Sequence, residues 1–329
     1  MTDLLPTQRA LTREELNAVL APLGTVTDHW LLSGGTFSAV QGVELTGGET
    51  VAVKTSVPDT RRLLGYEHDM LRSERDHLRL VEPLGLPTPR VLHEDLTRAT
   101  VDVEVLVMSL LPGMPWDSAT DVMSPASNAR TFHQVGEALA AFGTLHGPLF
   151  GFPADGFRLG DATWPGFLRR LVDSAVDDAA AWGVDVQPRR LLAAVEAAEA
   201  ALAQVAEPTL VHADLWHGNV LVDPQTGDVT GIVDFERSLF GDPLWGLAGG
   251  ETHSAGPFDA DKMRGFEAAT GQRLVMDRDA ELRVALYRLW SMAVQLTEIA
   301  PRGFTGDWLD GHRASIRANR GRLYAILDV

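Results

Sequence analysis

The period of the apolar pattern changes near residue 112, and that change constrains the fold of this chain more than any single motif does. Before Pro112-Gly113, short runs of alternating apolar and polar residues are separated by turns, the period-two signature of strands on a half-buried sheet. Strands are expected at 27–33, 38–46, 50–55, 90–95 and 101–109, with Gly47-Gly48 joining the second and third as a hairpin. A helix, Leu11 to Leu23, precedes them and opens with a capping box of Thr12 and Glu15. After residue 112 the spacing turns helical, around 128–146, 163–181, 188–205, 257–270, 278–298 and 308–326, with one β interruption at 210–234. The pattern predicts an α+β chain of two lobes, β-rich over 1–112 and mainly helical over 113–329, with a ligand-binding cleft between them.

A length of 329 residues suffices for two such lobes. With no cysteine, the chain has no disulfide framework, thiol nucleophile or cysteine-based metal site, which fits a cytoplasmic address. Met1-Thr2-Asp3-Leu4-Leu5 is no basic segment leading into an apolar run, and no stretch approaches the ~18 apolar residues of a membrane span. Neither secretion nor membrane insertion is expected. The 28 basic residues against 45 acidic ones leave a net charge of −17, which repels a nucleic-acid backbone, so any charged partner is expected to be cationic. Only two basic residues are lysines, Lys54 and Lys262.

Chemistry concentrates in Val211-His212-Ala213-Asp214-Leu215-Trp216-His217-Gly218-Asn219, followed by an apolar run, a turn at Asp223–Asp228 and a second apolar run ending at Asp234. Read as a hairpin whose partners sum to 453, it sets Val220 against Val233 and Leu221 against Ile232. Asn219 and Asp234 then emerge side by side at its open end, two oxygen ligands for a hard cation. Asp214 enters the same end as a candidate general base. Singly, each of these residues also reads as a turn, hairpin-end or capping residue; the combination H-x-D-x₄-N with I-V-D-F is the stronger signal.

Upstream, Gly34 and Gly35 interrupt a strand pattern where backbone can approach a phosphate closely, though a Gly-Gly turn is equally a plain turn. In Thr50-Val51-Ala52-Val53-Lys54, alternation puts Ala52 and Lys54 on one face, a small residue that admits a flat ring beside a cation for phosphate. Glu74 falls on the apolar face of a helix over 66–81, where a buried carboxylate needs a cation, and Lys54 is the available one. Glu67, seven residues earlier, is its rival. The run Val105 to Gly113 passes from an apolar strand into a Pro-Gly turn, and backbone groups from Ser109 to Leu111 suit a purine edge as well as they suit a buried strand end.

In this order these residues resemble the aminoglycoside phosphotransferase family, the small-molecule branch of the protein-kinase-like fold. The resemblance runs over about 28–250, including Leu145-His146, Asp234-Phe235-Glu236 and Gly241-Asp242-Pro243. It implies ATP and Mg²⁺, with Lys54 on the α- and β-phosphates, Glu74 orienting it, Asp214 as the base, and Asn219 and Asp234 holding the metal. Two positions depart from the family: Gly246 stands where an Asp is usual, and Phe37 or Ser38 where the glycine loop often has Asn. Against protein kinases, Ala213 replaces the Arg of His-Arg-Asp, Glu236 replaces the Gly of Asp-Phe-Gly, and no Ala-Pro-Glu follows, which argues against protein substrates. Asp214-Leu215-Trp216-x-Gly218-Asn219 also resembles the loop of fructosamine kinases. The expected function is transfer of the γ-phosphate of ATP to a hydroxyl of an aminoglycoside-like or other amine-bearing small molecule, with Glu251, Glu298 and Asp307 as amine contacts. The alternatives are a fructosamine- or sugar-type kinase and a catalytically silent nucleotide-binding module.

Overall fold

The computed structural model describes residues 4–32, 34–251 and 254–329. After helix α1 (Arg13–Leu20) come strands β1 (Val26–Leu31), β2 (Ala39–Leu45) and β3 (Thr50–Thr55), helix α2 (Met70–Val81), and strands β4 (Val91–Asp95) and β5 (Val105–Ser109). The five strands form one antiparallel sheet in the order β1-β2-β3-β5-β4. Gly47 and Gly48 both take positive φ between β2 and β3, as the expected hairpin turn requires. The capping box at Thr12 is present and opens α1. Val51 and Val53 face α1 in a small core with Leu16, Leu20, Val43 and Val105, each fully buried side chain stabilising by roughly 1.5–3 kcal/mol. Ala52 and Lys54 face the opposite way, toward the cleft.

Several boundaries differ from expectation: the helices expected over 11–23, 66–81, 128–146 and 257–270 run Arg13–Leu20, Met70–Val81, Pro125–Phe142 and Ala260–Thr270, and two strands differ at one end. The strand expected from residue 101 begins at Val105, because 101–103 bend; Val101 and Val103 are still buried, which explains the apolar signal. The strand expected to end at residue 33 ends at Leu31; Ser33, like Met1, Thr2 and Asp3, lies outside the described residues.

The C-terminal part continues through β6 (Met114–Pro115), α3 (Trp116–Ala119), α4 (Pro125–Phe142), α5 (Ala154–Phe157), α6 (Trp164–Ala181) and α7 (Pro188–Leu202). Then come short strands β7 (Thr209–Val211), β8 (Val220–Val222), β9 (Val229–Ile232) and β10 (Leu239–Gly241), and helices α8 (Pro243–Gly249), α9 (Ala260–Thr270), α10 (Arg278–Thr297), α11 (Ile299–Arg302) and α12 (Trp308–Ile326). Ser124, Thr163, Asp242 and Asp277 cap α4, α6, α8 and α10 through side-chain oxygens, three of them followed by a proline in the first turn. α10 is the central helix, with every residue from Val284 to Val294 buried. Its Tyr287 hydroxyl donates to Asp242 at 2.7 Å and accepts from Trp164 Nε1 at 2.7 Å, while Arg283 reaches the same carboxylate at 3.0 Å. Asp242 thereby ties α8 to the core. Among the described residues no helix is long and apolar enough to cross a membrane.

The β8–β9 hairpin corrects the expected register. Val220 pairs with Ile232 and Leu221 with Gly231, and the ladder then slips so that Val222 meets Val229. The pairing sum is thus 452 rather than 453, with the extra residue absorbed by a bulge, which sequence alternation does not reveal. Asn219 lies opposite Val233, whose N–H donates to the Asn219 carbonyl at 3.0 Å. Asp234 is one residue beyond, at φ 69° and ψ 58°, a left-handed conformation that aspartate adopts more readily than most residues with a Cβ.

Candidate active site

Lys54, at the middle of the sheet, is fully surrounded by carboxylates. Its Nζ lies 2.7 Å from Glu74, 2.7 Å from Asp234 and 2.8 Å from Glu236. Glu74 is thus the α2 partner of Lys54. Glu67 is buried elsewhere, on Arg302 and, at 3.4 Å, Arg237. Burial pushes the Glu74 carboxyl up, with Lys54 opposing; Glu236, deeper among the carboxylates, is pushed up by burial and by the Asp234 charge to about 8. Burial pushes the Asp234 carboxyl up, but the charge and hydrogen bond of Lys54 together with the Arg237 charge hold it below its ordinary range. The Lys54 ammonium itself is held well above its usual range: burial opposes the charge, but Asp234, Glu236 and Glu74 together overcome it.

Asp214 lies on the loop between β7 and β8. Its side chain is 26% exposed and 3.8 Å from Arg237. Burial pushes its carboxyl up to about 7, against the opposing pull of Arg237. A base with that proton affinity is matched to accepting a hydroxyl proton near neutrality. Asn219 donates from Nδ2 to the Asp214 carbonyl at 2.8 Å, which fixes the loop and leaves the amide Oδ1 as a ligand oxygen. With the half-exposed Asp234 carboxylate, this donor set fits a hard divalent cation such as Mg²⁺. When bound there, such an ion neutralises charge on a polyphosphate.

Gly34 is exposed at φ 103°, and Gly35 stands with Ser38 in the loop between β1 and β2. Ala52 is buried between Gly42 and Met108 on the neighbouring strands. Ser109 and Arg90 bond each other: the Ser109 N–H donates to the Arg90 carbonyl and the Ser109 hydroxyl accepts from the Arg90 N–H, both at 2.9 Å. Leu111 lies beside Gly231 of β9. The three acids expected near an amine are scattered: Glu251 is paired with Lys262 and, at 3.5 Å, Arg288; Glu298 faces Arg237 at 3.6 Å and Arg302 at 3.9 Å; Asp307 is exposed at the start of α12. A cavity of about 530 Å³ beside the Asp214 loop is lined by Phe132, His217, Glu251, Ser254 and Asp259, and Trp116 stacks on His217 with 3.8 Å between centroids.

Sequence reasoning missed three contributors. Glu236 appeared only as part of the Asp234-Phe235-Glu236 motif and as a departure from Asp-Phe-Gly, with no role given to it, yet it is the third carboxylate on Lys54. Arg237, the next residue, links Asp214, Glu67 and Glu298, a role no spacing announces. The third is the pair Gly249 and Gly250 at the end of α8: a Cβ on Gly249 would overlap the Ala213 carbonyl, and one on Gly250 the Leu215 carbonyl. The core thus positions the loop that bears Asp214 through Asp242, α8 and these glycines. Gly249→Ala should displace that loop and lower turnover by about 10- to 100-fold, the scale of an ångström misplacement, with little change in nucleotide affinity. Wild-type turnover in this variant would show that the close approach is not needed.

The phosphotransferase enzyme family model matches residues 47–282, from the β2–β3 turn to the start of α10. Among solved structures, the aminoglycoside phosphotransferase APH(4)-Ia, in a ternary complex with AMP-PNP and hygromycin B, superposes with a TM-score of 0.62 at 20% identity, covering 94% of this chain and 96% of that one. A provisional fructosamine-3-kinase from Thermobifida fusca YX-ER1 gives 0.62 at 20% identity over 93% and 98%. ADP-bound aminoglycoside phosphotransferase APH(2'')-Ib gives 0.61 at 14% over 95% and 99%. All three share the arrangement of a β-sheet N-terminal part and a helical C-terminal part. With the family model covering most of its length and the Lys54–Asp214–Asn219–Asp234 set assembled in one cleft, this chain belongs to the phosphotransferase enzyme family.

Proposed function

We propose that this ATP-dependent phosphotransferase moves the γ-phosphate of ATP to a hydroxyl of an aminoglycoside-like or other amine-bearing small molecule, in the cytoplasm. The observation that carries the reading is the Asp214 carboxyl, raised to about 7 at the mouth that also holds Asn219 and Asp234. In this reading Asp214 takes the acceptor proton, Lys54 contacts the α- and β-phosphates, and Gly34 and Gly35 approach the phosphates through backbone. Asn219 Oδ1 and Asp234 hold Mg²⁺; Ala52, Ser109 and Leu111 border the purine, with the lobes meeting at 112/113. The net charge of −17 favours a cationic acceptor.

A second reading, a sugar-type acceptor without essential amines, is favoured by one observation. Glu251 and Glu298 are already neutralised by Lys262, Arg288, Arg237 and Arg302, while the cavity beside His217 has an aromatic wall. A screen of ATP consumption with magnesium against aminoglycosides, other antibiotics, sugars and ketosamines separates the two. Because Asn219 and Asp234 supply two oxygens of a hard cation's coordination shell and a triphosphate supplies others, magnesium and nucleotide should bind together, and calorimetry should detect no more than weak binding of magnesium alone. Tight magnesium binding without nucleotide would count against the site.

A further inference from the structure

Strand register puts an aromatic side chain without an assigned role in line with the cleft. Trp30 of β1 pairs with Gly42 of β2, Gly42 with Ala52 of β3, and Ala52 with Met108 of β5. Directly paired residues of an antiparallel sheet point to the same face. Ala52 shares its face with Lys54, two residues on, and Lys54 reaches Glu74 and Asp234 in the cleft. The whole row therefore looks into the cleft, while Val43, Val51, Val53 and Val107 look toward α1.

Gly42 determines where the indole goes. A Cβ there would stand 2.4 Å from Cε2 and 2.5 Å from Cζ2 of Trp30, so the ring occupies the space that any side chain at 42 would take. Neighbouring strands are ~4.8 Å apart, which leaves the ring about one strand spacing from Ala52. Gly42, Ala52 and Met108 are buried, but Trp30 is 39% exposed. A lone exposed apolar side chain is ordinary on a protein surface. This one is seated by a glycine, in the same row as the small residue that leaves room for a flat ring. The next row along the sheet, Val40 and Lys54, lies about 6.7 Å away, two residues of strand rise, so base and phosphates meet different rows.

We propose that Trp30 is a nucleotide-binding residue whose indole packs on the base beside Ala52 and selects purines over pyrimidines. The inference rests on the phosphotransferase reading above, which puts the phosphates at Lys54. An aromatic face accepts any base by stacking, and the two fused rings of a purine overlap an indole more fully than the single ring of a pyrimidine. The contact is made to the base and not to the reacting phosphate. It is therefore as strong before phosphoryl transfer as during it, and acts on nucleotide affinity rather than on the chemical step.

The test titrates the full chain in a calorimeter with MgADP, MgCDP and magnesium tripolyphosphate, which carries phosphates and no base. Trp30→Ala should weaken MgADP binding by about tenfold, the scale of one lost base–aromatic stack. MgCDP should lose less, so the preference for the purine narrows, and tripolyphosphate should bind as it does to the unaltered chain. Trp30→Phe, which keeps a ring over Gly42, should recover most of the MgADP affinity. Unchanged MgADP affinity in Trp30→Ala would overturn the assignment and leave the phosphotransferase reading intact. So would equal losses for all three ligands, which would show that the ring only shapes the sheet, or a Trp30→Phe variant as weak as Trp30→Ala. An unaltered chain that binds neither MgADP nor tripolyphosphate would sink the nucleotide reading, and the role of Trp30 with it.

Discussion

Asp214→Asn should lower turnover by roughly 10²–10⁴-fold while leaving magnesium-nucleotide affinity close to that of the unaltered chain. The asparagine keeps the shape but accepts no proton, and Asn219 and Asp234, the proposed metal ligands, stay in place. Burial pushes the Asp214 carboxyl up to about 7, and only the ionised form serves as base. The kcat/KM of the unaltered chain should therefore climb as pH rises toward about 7 and level off above it. The residual activity of Asp214→Asn should lack that limb. Stability gives an internal control. A carboxyl whose folded proton affinity is raised favours the folded state below its unfolded pKa, and that contribution is lost as pH rises through the folded value. At pH 8 the ionised Asp214 is thus a burden on the fold, and its replacement should not lower the unfolding midpoint. Rates at pH 6 and 8, nucleotide titration and thermal unfolding check the prediction together. Normal turnover in the variant would end the assignment of Asp214 as base.

The same residues show where sequence reading reaches and where it stops. Glu74 was accessible because an acid on an apolar helix face needs a cation and the N-terminal part has one lysine. Asp214, Asn219 and Asp234 were accessible because a hairpin brings its two ends together whatever its exact register. The register itself was not, since the bulge between Leu221 and Val222 leaves the apolar pattern on both strands intact. Glu236 was hidden for another reason. Its sequence position is adjacent to a polar site, and only the left-handed turn at Asp234 swings it under Lys54. Arg237, Arg302 and Glu67 meet from segments far apart in sequence, with no local period to announce them. Phe37 stood out only as a departure from family usage, and its contact with Arg302 gives that departure a physical content.

Lys54→Met should abolish detectable use of ATP and also destabilise the fold, for one electrostatic reason. The ammonium holds Glu74, Asp234 and Glu236 within 2.7–2.8 Å, and methionine leaves three carboxylates in a poorly solvated cleft. Removing one partner of a buried ion pair costs about 3–5 kcal/mol, and protonation offers the only local relief. Glu236, already raised to about 8, and Glu74, already raised, should take up protons first. Both are carboxyls with raised folded values, so their contribution favours folding in acid and is lost as pH increases. Asp234 has the opposite sign: its lowered folded value adds stability above its unfolded pKa, and that addition depends on Lys54. All three changes point the same way, so the stability deficit of Lys54→Met should be largest near pH 8 and should shrink toward pH 5.5. Denaturant unfolding at those two pH values measures it. Adding Glu236→Gln removes one uncompensated charge and should recover part of the deficit at pH 8 without restoring ATP binding, because the cation proposed to bind phosphate is still missing. If Lys54→Met matched the unaltered chain in both stability and ATP affinity, the assignment of Lys54 as the phosphate-binding cation would be wrong. If the added Glu236→Gln deepened the deficit instead, the carboxylates would be supported by something other than Lys54.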